Sequence, residues 1–257
     1  MDNPIIVALD LPDRDAALRL AEQLSTVVGG FKVGSELFTS AGPEIIARLR
    51  AMKPLVFLDL KFHDIPNTVA RAVAAAVRLG VQMITVHASG GEAMMQAAEE
   101  AARVSARESG NPVPLELGIT VLTSLGADDL IQIGWSGDPK AEVKRLALLA
   151  ARAGLRGMVC SPLEIQALRQ ALPAEIRLVT PGIRAEQSAG DDQTRTLTAR
   201  EALAAGADWL VIGRPIYAAA DPRAALEAIR ASISSPGLGT SHQTSADSDS
   251  EIFTSNA

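Results

Sequence analysis

The chain has 257 residues, of which 47% are hydrophobic, and a formal net charge of −6. An acidic chain without a long basic run is not expected to bind nucleic acid, and a single cysteine excludes both a disulfide framework and a cysteine-based zinc site. No apolar segment approaches the length of a membrane span, and the N-terminus lacks the basic start and long apolar stretch of a signal peptide. These features predict a cytoplasmic protein that does not associate with membranes.

Short apolar segments rich in Val, Ile and Leu alternate along the chain with segments of helical spacing. In chain order, the strand-like segments lie at 5–10, 30–34, 55–61, 83–88, 115–122, 157–161, 176–182 and 209–214. The clearest helical segments lie at 15–27, 66–79, 92–107, 140–153 and 199–205. Alternation of strand and helix predicts a parallel sheet, and eight such units predict a single (β/α)8 TIM barrel. An open, doubly wound sheet is the alternative architecture.

The barrel domain is predicted to span residues 1–233, ending with a helix that Asp221 and Pro222 open. Residues 234–257 are rich in Ser and Thr and almost without apolar side chains. Such a segment cannot bury enough surface to offset its chain entropy. We expect this tail to be disordered and dispensable, so that a chain truncated at about residue 234 keeps its activity.

Polar and charged residues are concentrated at the ends of the predicted strands. The active site of a barrel of this kind forms where the strands end, and charges near a protein core are costly unless they are paired. A shared site at the barrel mouth explains why so many of the predicted strands end in charged residues. The candidates are Asp10, Lys32, Asp59, Lys61, Asp64, Thr123, Arg184 and Arg214.

The strongest signal is the sequence DLKFHDIPNT at 59–68. Because side chains alternate along a strand, Asp59 and Lys61 are predicted to point together into the barrel mouth. Asp64 follows just past the strand, and Lys32 on the neighbouring strand can complete a chain of alternating charges. A buried salt-bridge network without catalytic function is the alternative interpretation.

A second signal lies after the last two strands. Gly182 and Arg184 lie after the seventh strand, and Gly213 and Arg214 lie at the end of the eighth, where barrels often bind phosphate. Glycine lets backbone N–H groups approach an anion, and arginine binds phosphate oxygens through two parallel hydrogen bonds. Residues 185–195 are polar and include a glycine, which suits a mobile lid over the phosphate. The alternative is a pair of tight turns with solvated arginines beside an ordinary surface loop.

These motifs together resemble the orotidine 5′-phosphate decarboxylase family, whose members make UMP. The matching segments are ALD at 8–10, FKVG at 31–34, DLKFHDIPNT at 59–68, LTS at 122–124, TPGIR at 180–184 and IGRPI at 212–216. The Asp-x-Lys-x-x-Asp core is shared with other phosphosugar decarboxylases, whereas the continuation IPNT and Lys32 are specific. Relatives that use magnesium typically carry a glutamate where this chain has Lys32. The resemblance therefore implies a reaction without metal or cofactor.

The resemblance also implies a role for each matching residue. Lys61 would donate a proton to C6 of the pyrimidine, with Asp59 against the departing carboxylate. Asp64 and Thr68 would reach in from the other subunit of a homodimer, Asp64 completing a Lys-Asp-Lys-Asp array and Thr68 helping to bind the ribose. The remaining contacts would be Asp10 and Lys32 with the ribose hydroxyls, Thr123 with the pyrimidine ring, and Arg184, Gln193, Gly213 and Arg214 with the phosphate.

Two other functions are compatible with parts of the pattern. One is a magnesium-dependent decarboxylase of a keto sugar phosphate, which Lys32 argues against. The other is a catalytically silent barrel that senses a nucleotide or sugar phosphate, which the intact Asp59, Lys61 and Asp64 argue against. His63 and His87 also lie near strand ends, and we expect them to be structural because Lys61 already supplies a proton.

Overall fold

Eight parallel strands close into one barrel in chain order, and the first strand pairs with the last. The protein is seen here as a computed structural model that describes residues 3–53, 55–183 and 197–234. This arrangement confirms the predicted TIM barrel and excludes the open sheet. The strands are β1 (Ile5–Ala8), β2 (Gly30–Gly34), β3 (Val56–Phe62), β4 (Met83–His87), β5 (Leu115–Ile119), β6 (Gly157–Val159), β7 (Arg177–Pro181) and β8 (Trp209–Ile212).

Helices cover the outside of the barrel between successive strands. They are α1 (Arg14–Leu24), α2 (Ser35–Ala41), α3 (Glu44–Met52), α4 (Pro66–Arg78), α5 (Glu92–Ser109), α6 (Ala127–Gln132), α7 (Pro139–Arg152), α8 (Ile165–Ala171), α9 (Ala199–Ala204), α10 (Arg214–Tyr217) and α11 (Pro222–Ser234), with short 3-10 helices at Ala88–Gly90 and Pro162–Glu164. Each predicted helical segment corresponds to one of these, namely α1, α4, α5, α7 and α9. Helices α2, α6 and α10 were not predicted. With seven, six and four residues they carry little periodic signal, although α9, with six residues, was predicted.

Side-chain caps fix where several of these helices begin. The Asp13 carboxylate accepts a hydrogen bond from Ala16 N at 2.6 Å, and the Asp138 carboxylate accepts one from Lys140 N at 3.0 Å. Thr198 and Glu201 form a capping box at the start of α9. Each cap satisfies a backbone N–H that has no partner within its helix.

The strands separate an inner apolar layer from a larger outer one. Residues on the outer face, such as Leu58 and Ile84, pack in the large cluster that the helices cover. Because successive side chains alternate, Asp59 and Lys61 lie on the same inner face of β3 as Phe57. On β4, Thr85 and His87 lie on the same inner face as Met83. The inner layer therefore forms an apolar floor beneath polar strand ends; its members are Ile6, Ala8, Phe57, Met83, Leu117, Val179 and Val211.

The predicted domain boundary at residue 233 lies next to the last described helix, and it stays a prediction. Helix α11 ends at Ser234, one residue beyond the predicted boundary. The predicted disorder of the tail concerns residues that, apart from Ser234, lie outside the described part of the chain. Among the described helices, none combines the length and apolar character needed to cross a bilayer.

Candidate active site

A cavity of about 330 Å³ opens where the strands end. Its floor is formed by Ala8, Phe57 and Val211 of the inner layer, and polar groups surround the opening above them. The volume falls within the range of sites that hold small molecules, and an apolar pocket with a few convergent polar groups is the usual form of such a site. The other lining residues are Asp10, Lys32, Asp59, Lys61, Ile119, Val121, Leu122, Thr123, Val159, Cys160, Ser161, Pro181, Gly182 and Gly213.

Four charged residues form an alternating array in this cavity. Lys32 Nζ lies 3.0 Å from Asp10 Oδ1 and 3.5 Å from Asp59 Oδ2. Lys61 Nζ lies 2.9 Å from both oxygens of Asp59. The side chains of Lys32 and Asp59 are only 11% and 12% exposed, whereas that of Lys61 is 38% exposed. The two buried charges are thus paired, and Lys61 is the ammonium with the freer access to a bound molecule.

The end of β3 departs from regular strand geometry at Lys61. The register between β3 and β4 shifts between Leu58 and Phe62, and Lys61 has a φ of 51°, the one non-glycine residue of the described chain with a positive value. A non-glycine residue in this left-handed region costs about 1–3 kcal/mol, and the conformation persists only where the surrounding structure holds it. Alternation along the strand correctly predicted that Asp59 and Lys61 meet, but it gave no sign of this backbone conformation.

Thr85 on the adjacent strand β4 joins the two residues. Its Oγ1 accepts a hydrogen bond from the Lys61 backbone N–H at 2.9 Å and donates one to Asp59 Oδ1 at 3.0 Å. Thr85 is fully buried. Thr85 was not among the predicted site residues, because a neutral, β-branched residue within a strand is ordinary.

Glycine at two positions leaves space for neighbouring side chains. A Cβ at Gly34 would lie 3.2 Å from Lys32 Nζ and 3.3 Å from Asp10 Oδ1. A Cβ at Gly213 would lie 3.3 Å from Tyr217 Cε1. A larger residue at either position would require these neighbours to shift by a few tenths of an ångström.

The structure brings together some of the predicted phosphate-site residues. Gly182 and Gly213 both line the cavity at the ends of β7 and β8, and Thr123 lines it after β5. Arg214 is exposed as the first residue of α10 and is not among the lining residues. Arg184, Gln193 and the rest of the predicted lid at 185–195 lie outside the described residues.

Asp64 and Thr68 do not join the array within one chain. Both are exposed, and neither is among the residues that line the cavity. Asp64 Oδ1 accepts a hydrogen bond from Ile65 N at 2.6 Å, and within the described chain Asp64 forms no ion pair. The neighbouring Ile65 side chain, a large hydrophobic one, is 66% exposed.

Burial favours the neutral forms of His87 and Cys160 near the cavity. Burial lowers the pKa of His87, and His63, whose ring centroid is 5.2 Å away, lowers it further. Burial raises the pKa of Cys160 to about 12, so the thiol is a poor nucleophile at neutral pH. In the part of the chain that the structure describes, no three His, Cys, Asp or Glu side chains are grouped so that they could hold a metal ion.

Comparison with known proteins agrees with the motifs. A family model described as orotidine 5′-phosphate decarboxylase / HUMPS family matches residues 3–229. The chain is 57% identical over 230 residues to an orotidine 5′-phosphate decarboxylase of Pseudomonas fluorescens (strain SBW25), covering 90% of this chain and 97% of that protein.

The chain is also similar to the crystal structures of two orotidine 5′-phosphate decarboxylases. The one from Lactobacillus acidophilus has a TM-score of 0.78 and 36% identity, covering 91% of this chain and 100% of that one. The one from Pyrococcus horikoshii OT3 has a TM-score of 0.73 and 26% identity, covering 89% and 98%. This chain therefore belongs to the orotidine 5′-phosphate decarboxylase / HUMPS family.

Proposed function

We propose that this chain decarboxylates orotidine 5′-phosphate to UMP, as a cytoplasmic homodimer that uses neither a metal ion nor another cofactor. The observation that carries the proposal is the alternating array of Asp10, Lys32, Asp59 and Lys61 in a cavity of small-molecule size. The relatives named above, which share most of the chain, are orotidine 5′-phosphate decarboxylases. The array supplies fixed charges where a reaction of this kind needs them.

The chemistry requires electrostatic stabilisation at one carbon. Loss of CO₂ breaks the bond between C6 of the pyrimidine and the carboxylate carbon, and the electron pair stays on C6. That pair lies in the plane of the ring, so no adjacent π system can delocalise it. A preorganised cation in a pocket closed to water is the remaining means of stabilisation.

We assign that cation to Lys61. Its ammonium stabilises the developing charge and then donates a proton to C6, and the neutral amine regains a proton from water. One well-placed donor of this kind is worth roughly 3–4 kcal/mol of transition-state stabilisation. Asp59 holds the ammonium through two contacts of 2.9 Å and faces the departing carboxylate. Repulsion between the two carboxylates adds ground-state destabilisation, to which we give the smaller weight.

The other lining residues are assigned to the parts of the substrate that do not react. Asp10, whose side chain is 47% exposed, and Lys32 at its side bind the ribose hydroxyls. Thr123 at the cavity wall hydrogen-bonds the pyrimidine ring. Gly213 and Arg214 bind the phosphate with Arg184 and Gln193, and closure of the 185–195 segment over that phosphate excludes water.

In the proposed dimer, Asp64 and Thr68 of each subunit contribute to the active site of the other subunit. In a single chain these residues are exposed beside the exposed apolar side chain of Ile65. An exposed apolar residue flanked by polar groups suits an interface between identical subunits. Asp64 is then available to complete the Lys-Asp-Lys-Asp array of the partner's site, and Thr68 to contact its ribose.

A mixture of two inactive variants tests this sharing. Lys61→Ala and Asp64→Ala are each expected to be inactive, yet in a mixed dimer one of the two sites regains both residues. Random pairing makes half of the dimers mixed, so co-expressed chains are expected to recover about one quarter of the wild-type activity. Two affinity tags allow the mixed dimer to be purified and assayed.

The matched control combines Lys61→Ala with Asp59→Ala. Both residues lie on β3 of one chain, so every site in that mixed dimer lacks one of them and no activity should return. If Lys61→Ala and Asp64→Ala also fail to complement each other, Asp64 does not act across the interface.

The function itself is tested with the purified chain and orotidine 5′-phosphate. We expect the substrate absorbance to fall and UMP to appear, at the same rate with and without EDTA. Activity that EDTA removes and Mg²⁺ restores would contradict a metal-free reaction. Turnover of a keto sugar phosphate in place of orotidine 5′-phosphate would favour the magnesium-dependent relatives, and binding without turnover of either would favour a sensor.

A further inference from the structure

We propose that Thr85 is a positioning residue, whose hydroxyl holds the Lys61 backbone and the Asp59 carboxylate in their reactive arrangement. The inference rests on the proposed function, because it assigns Thr85 a part in that reaction. Thr85 lies on the inner face of β4, directly beside the end of β3, and is fully buried. It is neither charged nor among the residues that line the cavity.

One hydroxyl makes both connections. A threonine hydroxyl has one hydrogen to donate and two lone pairs to accept with. In Thr85 the hydrogen goes to Asp59 Oδ1, at 3.0 Å, and a lone pair receives the Lys61 N–H, at 2.9 Å. The carboxylate that holds the Lys61 ammonium and the backbone that carries the Lys61 side chain are therefore tied to the same atom.

The Lys61 backbone is strained, so its conformation needs a hydrogen bond of this kind to hold it. Its φ of 51° lies in the left-handed region, and the strand register shifts beside it. If the hydroxyl were absent, the partly buried Lys61 N–H would lose its acceptor, and the backbone could relax toward an extended conformation. That relaxation would redirect the Lys61 side chain, and a displacement of about 1 Å can cost about 100-fold in rate.

Strand β4 holds the same segment at a second point. His87 lies two residues after Thr85 on the same face, and its ring packs against that of His63 with centroids 5.2 Å apart. Strand β4 therefore contacts the segment around Lys61 at two points, through Thr85 and through His87. The histidine contact touches neither Asp59 nor the Lys61 backbone, so we assign the alignment of the charged pair to Thr85.

The decisive comparison is between Thr85→Val and Thr85→Ser. Valine keeps the shape of threonine and removes the hydroxyl, whereas serine keeps the hydroxyl. We expect Thr85→Val to lower kcat for orotidine 5′-phosphate about 10- to 100-fold with KM changed by less than about threefold. Thr85→Ser is expected to stay within about threefold of the wild type in both constants.

Thr180→Val serves as the matched control. Thr180 is also fully buried in a barrel strand, but its hydroxyl lies 3.7 Å from Cys160 Sγ rather than beside the charged array. This variant loses a buried hydroxyl in the same way and is expected to keep its kcat. Circular dichroism and thermal melting report the folded fraction of each protein, so that kcat refers to folded enzyme.

The other possible outcomes would contradict either the role of Thr85 or the function on which it rests. Equal losses in Thr85→Val and Thr85→Ser, or a Thr85→Val variant with wild-type kcat, would overturn the proposal. So would a loss confined to KM, because it would make Thr85 a binding residue. If Thr85→Val does not fold, Thr85→Ala replaces it in the same comparison with serine. A wild-type chain that does not turn over orotidine 5′-phosphate would instead refute the proposed function.

Discussion

Replacing Lys61 with alanine is expected to lower kcat for orotidine 5′-phosphate at least ~10³-fold while the barrel stays folded. In the proposed mechanism this change removes two contributions together, the fixed cation beside C6 and the proton donor to it. The fold should survive because the Lys61 side chain is 38% exposed, and because Asp59 keeps Thr85 at 3.0 Å and Lys32 at 3.5 Å. Kinetics of the purified variant, beside its circular dichroism spectrum, measure both parts of the prediction.

The affinity of Lys61→Ala for the product UMP shows whether the variant has lost catalysis alone or also the ability to bind a nucleotide. UMP keeps the ribose and the phosphate, so its dissociation constant should change by less than about tenfold when measured by calorimetry. Lys144→Ala is the control, because Lys144 is an exposed lysine on α7 away from the cavity and should leave kcat and UMP binding unchanged. Turnover by folded Lys61→Ala above about 1% of the wild-type rate would exclude Lys61 as the proton donor.

The barrel was predictable because its signal is local and repeated. The β2 segment at 30–34 coincides with the strand in the structure, since a glycine lies at each end of it. The fifth segment was predicted to run to residue 122, but β5 ends at Ile119. Val121 and Leu122 continue the apolar run as part of the cavity wall rather than as a strand. Apolar character alone cannot distinguish these two uses.

The array at the mouth was predictable only in part. The charges of Asp59, Lys61 and Lys32 mark them as costly to bury, and strand alternation places them together. Thr85 has no charge, and its role depends on a register shift between β3 and β4 that leaves no mark in the sequence. Asp64 lies within the motif yet apart from the array of its own chain, because the chain leaves the barrel mouth after Phe62.

Replacing Arg214 with alanine is expected to raise KM for orotidine 5′-phosphate about 10- to 100-fold, since a hydrogen-bonded charged group contributes about 1.5–3 kcal/mol. The value of kcat/KM should fall by more than that factor. In the proposed mechanism, phosphate binding would also stabilise the closed lid, and this binding energy would then be used at the reacting carbon. Arg214→Lys keeps the charge but loses the two parallel hydrogen bonds, so its constants should be intermediate.

Orotidine without the phosphate shows whether the loss arises at the phosphate. The wild type and Arg214→Ala should have the same kcat/KM for orotidine, because the guanidinium then has no anion to bind. Arg19→Ala, which removes an exposed arginine on the outer helix α1, should leave both substrates unaffected. If Arg214→Ala slowed orotidine and its 5′-phosphate equally, Arg214 would act on the fold or on the pyrimidine. Since Gly182 and Gly213 line the cavity together at the ends of β7 and β8, an effect confined to the phosphorylated substrate would locate its phosphate at that end of the cavity.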